Sequence, residues 1–364
     1  MKLGLVAPVP PPYGGISNWV RMVSTYINDG KIKEIELTCI NSAPRIRKTE
    51  GRNLWNRIID SGLQMITILF QVRKKLKAGE IDLLHVTTSG QLALIRDLAI
   101  LSAASKEGVP SVLHIRFGRV PEIAGRNTIE WKLMKRVLRL STNVMVLDKD
   151  TEKVIHAVLN KKKVIRIPNP IEINHGYRQE SIERQVVIFV GWVVKEKGIE
   201  ELLHAWQNIC NNNPEWLLKI VGPIHPNYHD KLKREYSLKN VIIEGEKKHD
   251  DTMELLADSS IFVLPSYTEG FPNTILEAMS MKKAIIASQV GAIPDMLDKE
   301  CGICISERSV EELQESLEKL IVSSELRNRL GRNAYARVLE QYSLDAIMKQ
   351  YKAVWTDLSE KYKR

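Results

Sequence analysis

The sequence predicts an α/β fold made of two doubly wound domains, and three observations support this. First, short apolar or β-branched runs alternate with helical stretches along most of the 364 residues, as buried parallel strands do when helices connect them. Second, a chain of this length exceeds what one hydrophobic core usually serves. Third, the series of strand-like runs starts again after a polar stretch at residues 174–184. Each half of the chain should therefore form its own Rossmann-like sheet.

The strand-like runs place the elements of both sheets. In the first half we predict strands at residues 3–7, 35–40, 81–86, 111–115, 143–147 and 164–167. In the second half we predict strands at residues 186–190, 216–221, 241–243, 261–264 and 284–288. From about Val310 onward, apolar positions recur every three or four residues, which indicates helices. The expected domains are residues 1–172 and 173–343, followed by a last helix at 344–364.

The composition, with 44% hydrophobic and 27% charged residues, is that of an ordinary soluble globular protein. No run of 18 apolar residues exists, and the first residues form a strand pattern instead of a signal peptide, so we expect a cytoplasmic protein. Cys301 and Cys304 have the spacing of half a zinc site. Because Cys39 and Cys210 are isolated, a small strand at residues 302–305 is favoured over metal binding.

The positive charge belongs to the first half of the chain. Residues 1–175 hold 28 Lys and Arg against 15 Asp and Glu, so their net charge is +13. The net charge of the whole chain is +9, so residues 176–364 carry −4. Such a field suggests an anionic partner, which could be a membrane surface, a phosphorylated acceptor or nucleic acid. Nucleic acid has only the charge in its favour, because the sequence contains no recognition module, and we predict no such partner.

The segment from Glu269 to Glu277 carries the strongest functional signal. It follows the predicted strand at 261–264, and its Pro272 suits the first turn of a helix. A helix that begins there exposes unpaired backbone N–H groups and the positive end of its dipole, and these together bind phosphate. Two carboxylates thus flank a predicted anion site.

This segment resembles the Glu-x7-Glu motif of glycosyltransferase family 4, and the likeness extends to the Gly-Ala-Ile-Pro stretch at 291–294. That family consists of retaining nucleotide-sugar transferases with the GT-B fold, in which two Rossmann-like domains face a cleft and a C-terminal helix crosses back to the first domain. The resemblance implies that Glu269 lies beside the donor sugar and that Glu277 binds the ribose hydroxyls. It implies that backbone amides near Asn273 and Thr274 hold the diphosphate.

Two glycine-containing loops resemble the family as well. Gly14 and Gly15 let backbone amides approach a ligand, and the resemblance implies that they face the donor phosphates; a simple tight turn is the alternative. Gly191 opens a stretch that reads Gly-Arg-Leu and then Lys-Gly in the family, where the Arg and the Lys neutralise the diphosphate. Lys197 keeps its place, but Trp192 stands where the family has arginine. Losing that cation should lower the rate unless another base replaces it, and Lys195 or an Arg of the first domain is the candidate.

A histidine and two arginines of the first domain are further candidates. His114 ends the predicted strand at 111–115, and the carboxyl ends of parallel strands face the ligand crevice. The resemblance implies that His114 lies near the donor sugar, with His85 as the weaker competitor and a structural histidine as the alternative for both. Arg116 and Arg119 would meet an acceptor phosphate or replace the missing arginine.

Two other segments have alternative interpretations. Asp148 and Asp150 form an Asp-x-Asp pattern that could bind a metal, but an Asp also makes a good helix cap before Thr151. Residues 54–77 show an apolar stripe with a basic end, and Arg and Lys residues cluster just upstream at 45–52. Helix packing explains the stripe, whereas a membrane-facing surface would equally explain the bases.

The sequence therefore predicts a retaining hexosyltransferase of the family 4 type. It would transfer sugar from a UDP- or GDP-linked donor to a saccharide or lipid-linked acceptor in polysaccharide biosynthesis, with no cofactor and no metal in the site. The predicted catalytic residues are Glu269, His114 and Lys197. The predicted donor-binding residues are Gly14, Gly15, Gly191, Lys197, Phe271, Pro272, Asn273, Thr274 and Glu277. The expected location is cytoplasmic, at the inner face of the membrane. The alternatives are a nucleotide-sugar epimerase of the same architecture and a non-catalytic basic protein that binds nucleotides or polyanions.

Overall fold

The computed structural model describes residues 1–11, 14–43, 54–174 and 184–362, with the side chains of 54–61 left out. It confirms the predicted α/β class with two parallel sheets. The chain divides into unit 1, formed by Met1–Pro170 and Ile347–Arg364, and unit 2, formed by Ile171–Ala346. The predicted basic cluster at 45–52 and most of the predicted junction at 174–184 lie outside the described residues.

Unit 1 contains a six-stranded parallel sheet with the order β2-β1-β3-β4-β5-β6. Its strands are β1 (Lys2–Ala7), β2 (Glu36–Asn41), β3 (Leu83–Thr88), β4 (Ser111–Ile115), β5 (Asn143–Val146) and β6 (Val164–Arg166). Its first helices are α1 (Gly15–Asn28), α2 (Leu54–Lys77), α3 (Ala93–Lys106), α4 (Val120–Gly125), α5 (Ile129–Leu140) and α6 (Lys149–His156).

Unit 2 contains a second six-stranded parallel sheet, with the order β12-β11-β10-β7-β8-β9. Its strands are β7 (Val186–Val190), β8 (Leu217–Val221), β9 (Val241–Gly245), β10 (Ile261–Leu264), β11 (Ala284–Ser288) and β12 (Ile303–Ile305). Its helices are α7 (Ile199–Ile209), α8 (Pro226–Glu235), α9 (His249–Ala257), α10 (Asn273–Ser280), α11 (Ile293–Leu297), α12 (Val310–Val322) and α13 (Ser324–Arg337).

The central strands are continuous apolar runs because helices cover both faces of each sheet. Every residue of β3, β4, β7, β10 and β11 is buried. The predicted positions of all twelve strands agree with the structure to within a few residues at their ends, including the short β12 that contains Cys304. Each unit has its own hydrophobic core.

The last helix, α14 (Leu344–Lys361), returns the chain to unit 1 from Ile347 onward, as predicted. Just before it, the backbone N–H of Ile171 donates to Tyr342 O at 2.9 Å, and the N–H of Leu344 donates to Ile171 O at 2.9 Å. These two bonds join the two segments of unit 2 that lead out to unit 1. Within the described part of the chain, no helix has the length and apolar character needed to cross a membrane.

Candidate active site

Two loops of unit 2 bring Lys197 and Glu269 together. Lys197 follows β7 on a 3-10 turn, and Glu269 lies on the loop that follows β10. Lys197 Nζ lies 2.5 Å from Glu269 Oε1, and Ser266 Oγ donates to the same oxygen at 2.8 Å. The side chains of Lys197 and Glu269 are 26% and 12% exposed, so the pair is held mostly away from water yet remains reachable. Such an ion pair orients a carboxylate more firmly than a solvated one.

Backbone contacts hold the two loops against each other. The N–H of Tyr267 donates to Glu196 O at 2.9 Å. Gly198, with φ +71°, ends the Lys197 turn, and a Cβ there would overlap the carbonyl of Pro265. Glycine is therefore required for both the left-handed backbone and the close approach. These contacts explain why Lys197 reaches Glu269 although 72 positions separate them in the sequence.

The stretch at 291–294 supports the Glu269 loop from the other side. Gly291 has φ +56°, and a Cβ at this position would overlap the carbonyl oxygens of Glu269 and Gly270. The next residue, Ala292, donates its N–H to Gly270 O at 2.9 Å. The sequence likeness at residues 291–294 therefore has a physical reason, because this stretch packs against the Glu269 loop and holds it in place.

Helix α10 begins directly after the Glu269 loop. Pro272 precedes its first residue with an extended backbone, and Ile275 N–H bonds back to Pro272 O at 3.2 Å. Across the described residues, the N–H of Thr274 has no hydrogen-bond partner in the protein, as expected in a first helical turn. Phe271 packs edge-on against Tyr342, with ring centroids 5.9 Å apart, and so anchors the loop to the unit 2 core.

Glu277 lies on the second turn of α10 and, unlike Glu269, its carboxylate has no partner in the described part of the chain. Its side chain is half-buried, and none of the described residues gives its carboxylate a hydrogen bond or an ion pair. Burial raises the pKa of this carboxyl from 4.5 to about 7, because the ionised form loses water without gaining a donor. A ligand that brings hydroxyl donors would supply what the protein does not.

Trp192, which stands where the resembled family has arginine, is exposed. Gly191 donates its N–H to Val221 O at 3.0 Å and leads into Trp192, whose side chain is 66% exposed. Lys195 Nζ lies 3.8 Å from Glu200, which also accepts from Lys231 at 2.7 Å. In the described part of the chain, the cation in contact with Glu269 is Lys197 alone. Replacement of the missing arginine by Lys195 stays a prediction.

In unit 1, His114 and His85 lie in a closed cluster of aromatic and basic side chains. Both imidazoles are fully buried, and His85 Nε2 lies 3.2 Å from His114 Nδ1. Burial, reinforced by the nearby Arg116 charge, lowers the pKa of His85 to about 3 and that of His114 well below its usual value. Trp19 packs edge-on against His114, with centroids 5.2 Å apart. The structure places His114 where a structural histidine lies, and its contact with the donor sugar stays a prediction.

The hydrogen bonds of this cluster fix the tautomers of both histidines. Trp355 Nε1 donates to His85 Nδ1 at 3.1 Å, and because an indole only donates, His85 must carry its proton on Nε2. His85 Nε2 then donates to His114 Nδ1, which leaves the His114 proton on Nε2. Arg116 Nη1 lies 3.4 Å from that nitrogen, but both groups are donors, so this contact is not a hydrogen bond.

Arg116 is bonded through Nη2, whereas its buried Nε has no hydrogen-bond partner among the described residues, and Arg119 has a weaker partner. Arg116 Nη2 donates to Asn169 Oδ1 at 2.6 Å, and its guanidinium lies 4.4 Å from the centre of the Trp19 ring. Burial lowers the pKa of Arg116 to about 10. Arg119 is partly exposed and lies 3.4 Å from Glu130. Their predicted acceptor roles stay predictions, and Arg119 is the more accessible of the two.

The remaining predicted positions lie at the starts of helices. Gly14 and Gly15 are exposed at the start of α1, where Gly14 O accepts the N–H of Asn18 at 2.9 Å. Asp148 caps α6 by accepting from Thr151 N at 2.7 Å, as the capping alternative predicts. Among the side chains that the structure describes, no group of three or more His, Cys, Asp or Glu residues is arranged to hold a metal ion.

Sequence reasoning missed Ser266 and the aromatic members of the His cluster. Ser266 lies two residues after β10, where a hydroxyl at a strand end could have been noted. Trp355 and Tyr351 are four residues apart on α14 and stack with ring centroids 5.3 Å apart. That spacing on a helix was the available signal, but it is also typical of ordinary core packing.

Comparison with known families matches residues 173–337 to the model for glycosyl transferases group 1. The match lies within unit 2, includes both loops and α10, and covers slightly under half of the chain. This region is therefore similar to the glycosyl transferases group 1 family.

Two curated relatives and one solved structure extend the comparison. The chain is 27% identical over 186 residues to CapM of Staphylococcus aureus, a capsular polysaccharide biosynthesis glycosyltransferase, with 50% of this chain and 49% of the relative covered. It is 25% identical over 300 residues to an uncharacterized glycosyltransferase of Haemophilus influenzae, with 79% and 80% covered. The matches span about half the length of most of the curated relatives.

The solved structure is that of Anabaena HepE in complex with UDP. It superimposes with a TM-score of 0.74 at 16% identity and covers 98% of this chain and 99% of that chain. At this identity the likeness shows the fold. The predicted GT-B fold is thereby confirmed.

Proposed function

We propose that this protein is a retaining glycosyltransferase that moves a hexose from a UDP- or GDP-linked donor to a saccharide or lipid-linked acceptor in polysaccharide biosynthesis. The observation that carries the proposal is the arrangement of Glu269, Lys197 and Ser266 beside the start of α10. One turn into that helix lies Glu277, whose carboxylate has no partner among the residues that the structure describes. The matched family and the names of the relatives support the same class of reaction.

In the proposed reaction the acceptor hydroxyl oxygen attacks the anomeric carbon of the donor. The bond from that carbon to the diphosphate oxygen breaks, its electron pair stays on the leaving diphosphate, and the acceptor proton passes to a diphosphate oxygen. Negative charge therefore gathers on the diphosphate, where Lys197 and the Thr274 N–H at the start of α10 would neutralise it. A lysine has three N–H donors, so Lys197 can hold Glu269 and a phosphate oxygen together.

The two glutamates take different roles in this proposal. Glu269, oriented by Lys197 and Ser266, accepts from the sugar hydroxyls and positions the anomeric carbon. Glu277 accepts from the ribose hydroxyls, which supplies the hydrogen bonds that no described residue gives to its carboxylate. The half-buried position of Glu277 strengthens such bonds, because little water competes for them.

The donor is identified by a panel of UDP-, GDP- and ADP-sugars in a thermal-shift assay, since a bound donor raises the unfolding midpoint by mass action. We expect one nucleotide class to shift the midpoint of the wild type and to shift that of Glu277→Ala less. Gly14, Gly15 and His114 stay predicted donor residues, and the same assay tests their variants. If no nucleotide sugar shifts the midpoint, the proposed donor site is wrong.

Product analysis then separates the reaction classes. Transfer with retention gives a product whose anomeric configuration equals that of the donor, and NMR of the product measures this directly. An epimerase would instead convert the donor without an acceptor, and a non-catalytic binder would release no nucleoside diphosphate. We expect turnover to survive EDTA, because the proposal assigns charge neutralisation to Lys197 and backbone N–H groups.

A further inference from the structure

The exposed apolar side chains of unit 1 are concentrated on three helices. Of seven exposed large apolar or aromatic side chains among its described residues, six belong to α2, to α5, or to α3 and the residue that precedes it. These six, which we call the apolar rim, are 46–84% exposed: Leu63, Ile66, Phe70, Leu92, Ile95 and Ile129. A cluster of this kind needs an explanation that single exposed apolar residues do not.

The topology places these three helices side by side. The chain runs from β2 past β1 to β3, then to β4, then to β5, always in one direction across the sheet. Right-handed crossovers in one direction put the connecting helices on one face, and α3 indeed contacts both α2 and α5. The apolar rim therefore belongs to a single surface of unit 1.

Helix α2 shows how this surface is built. Its inner face is buried through Ile68, Val72 and Leu76, which are spaced four residues apart. The opposite face presents Leu63, Ile66 and Phe70 and then changes to basic residues. The exposed bases that continue this face are Arg73, Lys74 and Lys77. No acidic residue occurs between Leu63 and Lys77.

Helix α5 repeats the same arrangement. Ile129, 84% exposed, is its first residue. The outer face then continues through Lys132, Arg136 and Arg139, all exposed at helical spacing. Within the described part of the chain, none of these three bases, nor the three on α2, has an ion-pair partner. Six cations without an ion-pair partner among the described residues thus lie along two helices, and each helix has at least one exposed large apolar side chain nearer its start.

We propose that this surface binds an anionic lipid bilayer, with the apolar rim entering the interfacial region and the six bases meeting lipid phosphates. Exposed Leu, Ile and Phe side chains gain free energy on entering the headgroup boundary, and nearby Lys and Arg are attracted to anionic lipids. A second copy of the chain fits poorly, because its identical basic stripes would repel those of the first. The proposal uses no residue of the unit 2 site, so it is independent of the donor chemistry.

Co-sedimentation of the full chain with vesicles tests the proposal. One vesicle type is pure phosphatidylcholine, and the other contains about 30% phosphatidylglycerol, which supplies a negative surface. We expect binding to the anionic vesicles at least about tenfold tighter than to neutral ones, and weaker in high salt because surface charges are screened.

Matched variants locate the surface. Ile66→Gln with Phe70→Gln should weaken binding to anionic vesicles by about tenfold or more, since both apolar side chains leave the interface. The control Val322→Gln with Leu339→Gln changes two exposed apolar residues of unit 2, 79% and 44% exposed, and should bind like the wild type.

A second variant, again with a matched control, tests the basic residues in the same way. Arg73→Gln, Lys74→Gln and Lys77→Gln together should remove most of the preference for anionic vesicles. The control Lys319→Gln, Arg329→Gln and Arg332→Gln removes three exposed bases of unit 2 and should keep that preference. In each variant, the thermal midpoint and the midpoint shift caused by the donor show whether the fold and the donor site persist.

Three outcomes would overturn the proposal. Wild-type protein that stays in the supernatant with anionic vesicles excludes the bilayer as partner. Equal loss in rim and control variants shows that the binding is non-specific. A concentration-dependent dimer that Ile66→Gln with Phe70→Gln abolishes, without vesicle binding by the wild type, assigns the surface to a second copy of the chain.

Discussion

The Glu269 loop of unit 2 follows strand β10, and the His114 cluster of unit 1 includes residues of β3 and β4, yet the two regions differ in what they leave available to a ligand. Around Glu269 the ion pair stays partly exposed, and neither the Glu277 carboxylate nor the Thr274 N–H has a partner among the described residues. Around His114 the rings are fully buried and their nitrogens face other side chains. A position on or after a parallel strand thus marks a candidate site, whereas partly exposed groups that lack a partner among the described residues mark where a ligand can bind.

The largest expected effect concerns the ion pair. Glu269→Gln keeps the size of the side chain but removes the charge that Lys197 and Ser266 orient, so we expect kcat to fall by about 10²-fold or more. The control is Glu196→Gln, which makes the same chemical change at an exposed position one residue before Lys197 and should leave kcat within a few-fold of wild type. Steady-state transfer assays with the identified donor measure both. Comparable rates for Glu269→Gln and wild type would remove Glu269 from the proposed mechanism.

The second largest expected effect concerns the contact between Gly291 and the Glu269 loop. Gly291→Ala adds a Cβ that overlaps the carbonyls of Glu269 and Gly270 at a left-handed φ, so we expect the free energy of unfolding to fall by more than about 2 kcal/mol. Gly245→Ala is the control, because Gly245 has φ +70° but open space around it, and it should cost only about 1 kcal/mol. Urea unfolding of both variants gives the difference. Equal losses would mean that backbone strain, not the contact with the Glu269 loop, determines the cost.

The fold and the Glu269 loop could be predicted from the sequence because each depends on local patterns. Buried strands appear in the sequence as continuous apolar runs. The two carboxylates and the proline before the helix start all lie in one contiguous segment, Glu269 to Glu277. The partners of His114 could not be predicted, because Trp19 and Tyr351 come from opposite ends of the chain and meet only through tertiary packing. Nor does sequence spacing show that Lys197 contacts Glu269, since that depends on the left-handed turn at Gly198.

A third, smaller effect follows from the pKa of Glu277. Burial raises the pKa of its carboxyl to about 7 in the folded protein, while the unfolded chain keeps the ordinary value. The unfolded state therefore releases this proton first, and the carboxyl lowers the free energy of unfolding progressively as pH rises from about 4.5 to 7. Glu277→Gln lacks this loss, so we expect it to match wild type near pH 4.5 and to exceed it by about 1 to 3 kcal/mol at pH 8.

Urea unfolding at several pH values measures the Glu277 effect, with Glu254→Gln on the exposed face of α9 as the control. The same linkage applies to the donor. Ribose hydroxyls donate to the ionised carboxylate, so donor affinity should rise as pH increases through about 7 in wild type and lose this dependence in Glu277→Gln. A pH-independent stability difference between the variant and wild type would show that the carboxyl is not titrating in this range.

The smallest effect tests whether the His114 cluster is as closed as its hydrogen bonds indicate. Trp355→Phe removes the donor that keeps the proton off His85 Nδ1. Both rings can then change tautomer, so that His114 donates through Nδ1 to His85 and its Nε2 accepts from Arg116, which ends the contact between two donors.

We expect nitrogen-15 NMR of the imidazoles at pH 7 to show the proton on Nε2 of both rings in wild type and on Nδ1 of both in Trp355→Phe. The loss of one indole hydrogen bond should cost about 1 kcal/mol, and the gained Arg116 contact should offset part of it. Tyr351→Phe is the control, because it removes the hydroxyl that accepts from Trp19 at 3.2 Å without touching the His85 to Trp355 bond. It should leave both tautomers unchanged. If Trp355→Phe also leaves both tautomers unchanged, the Trp355 hydrogen bond does not determine where the two histidines carry their protons.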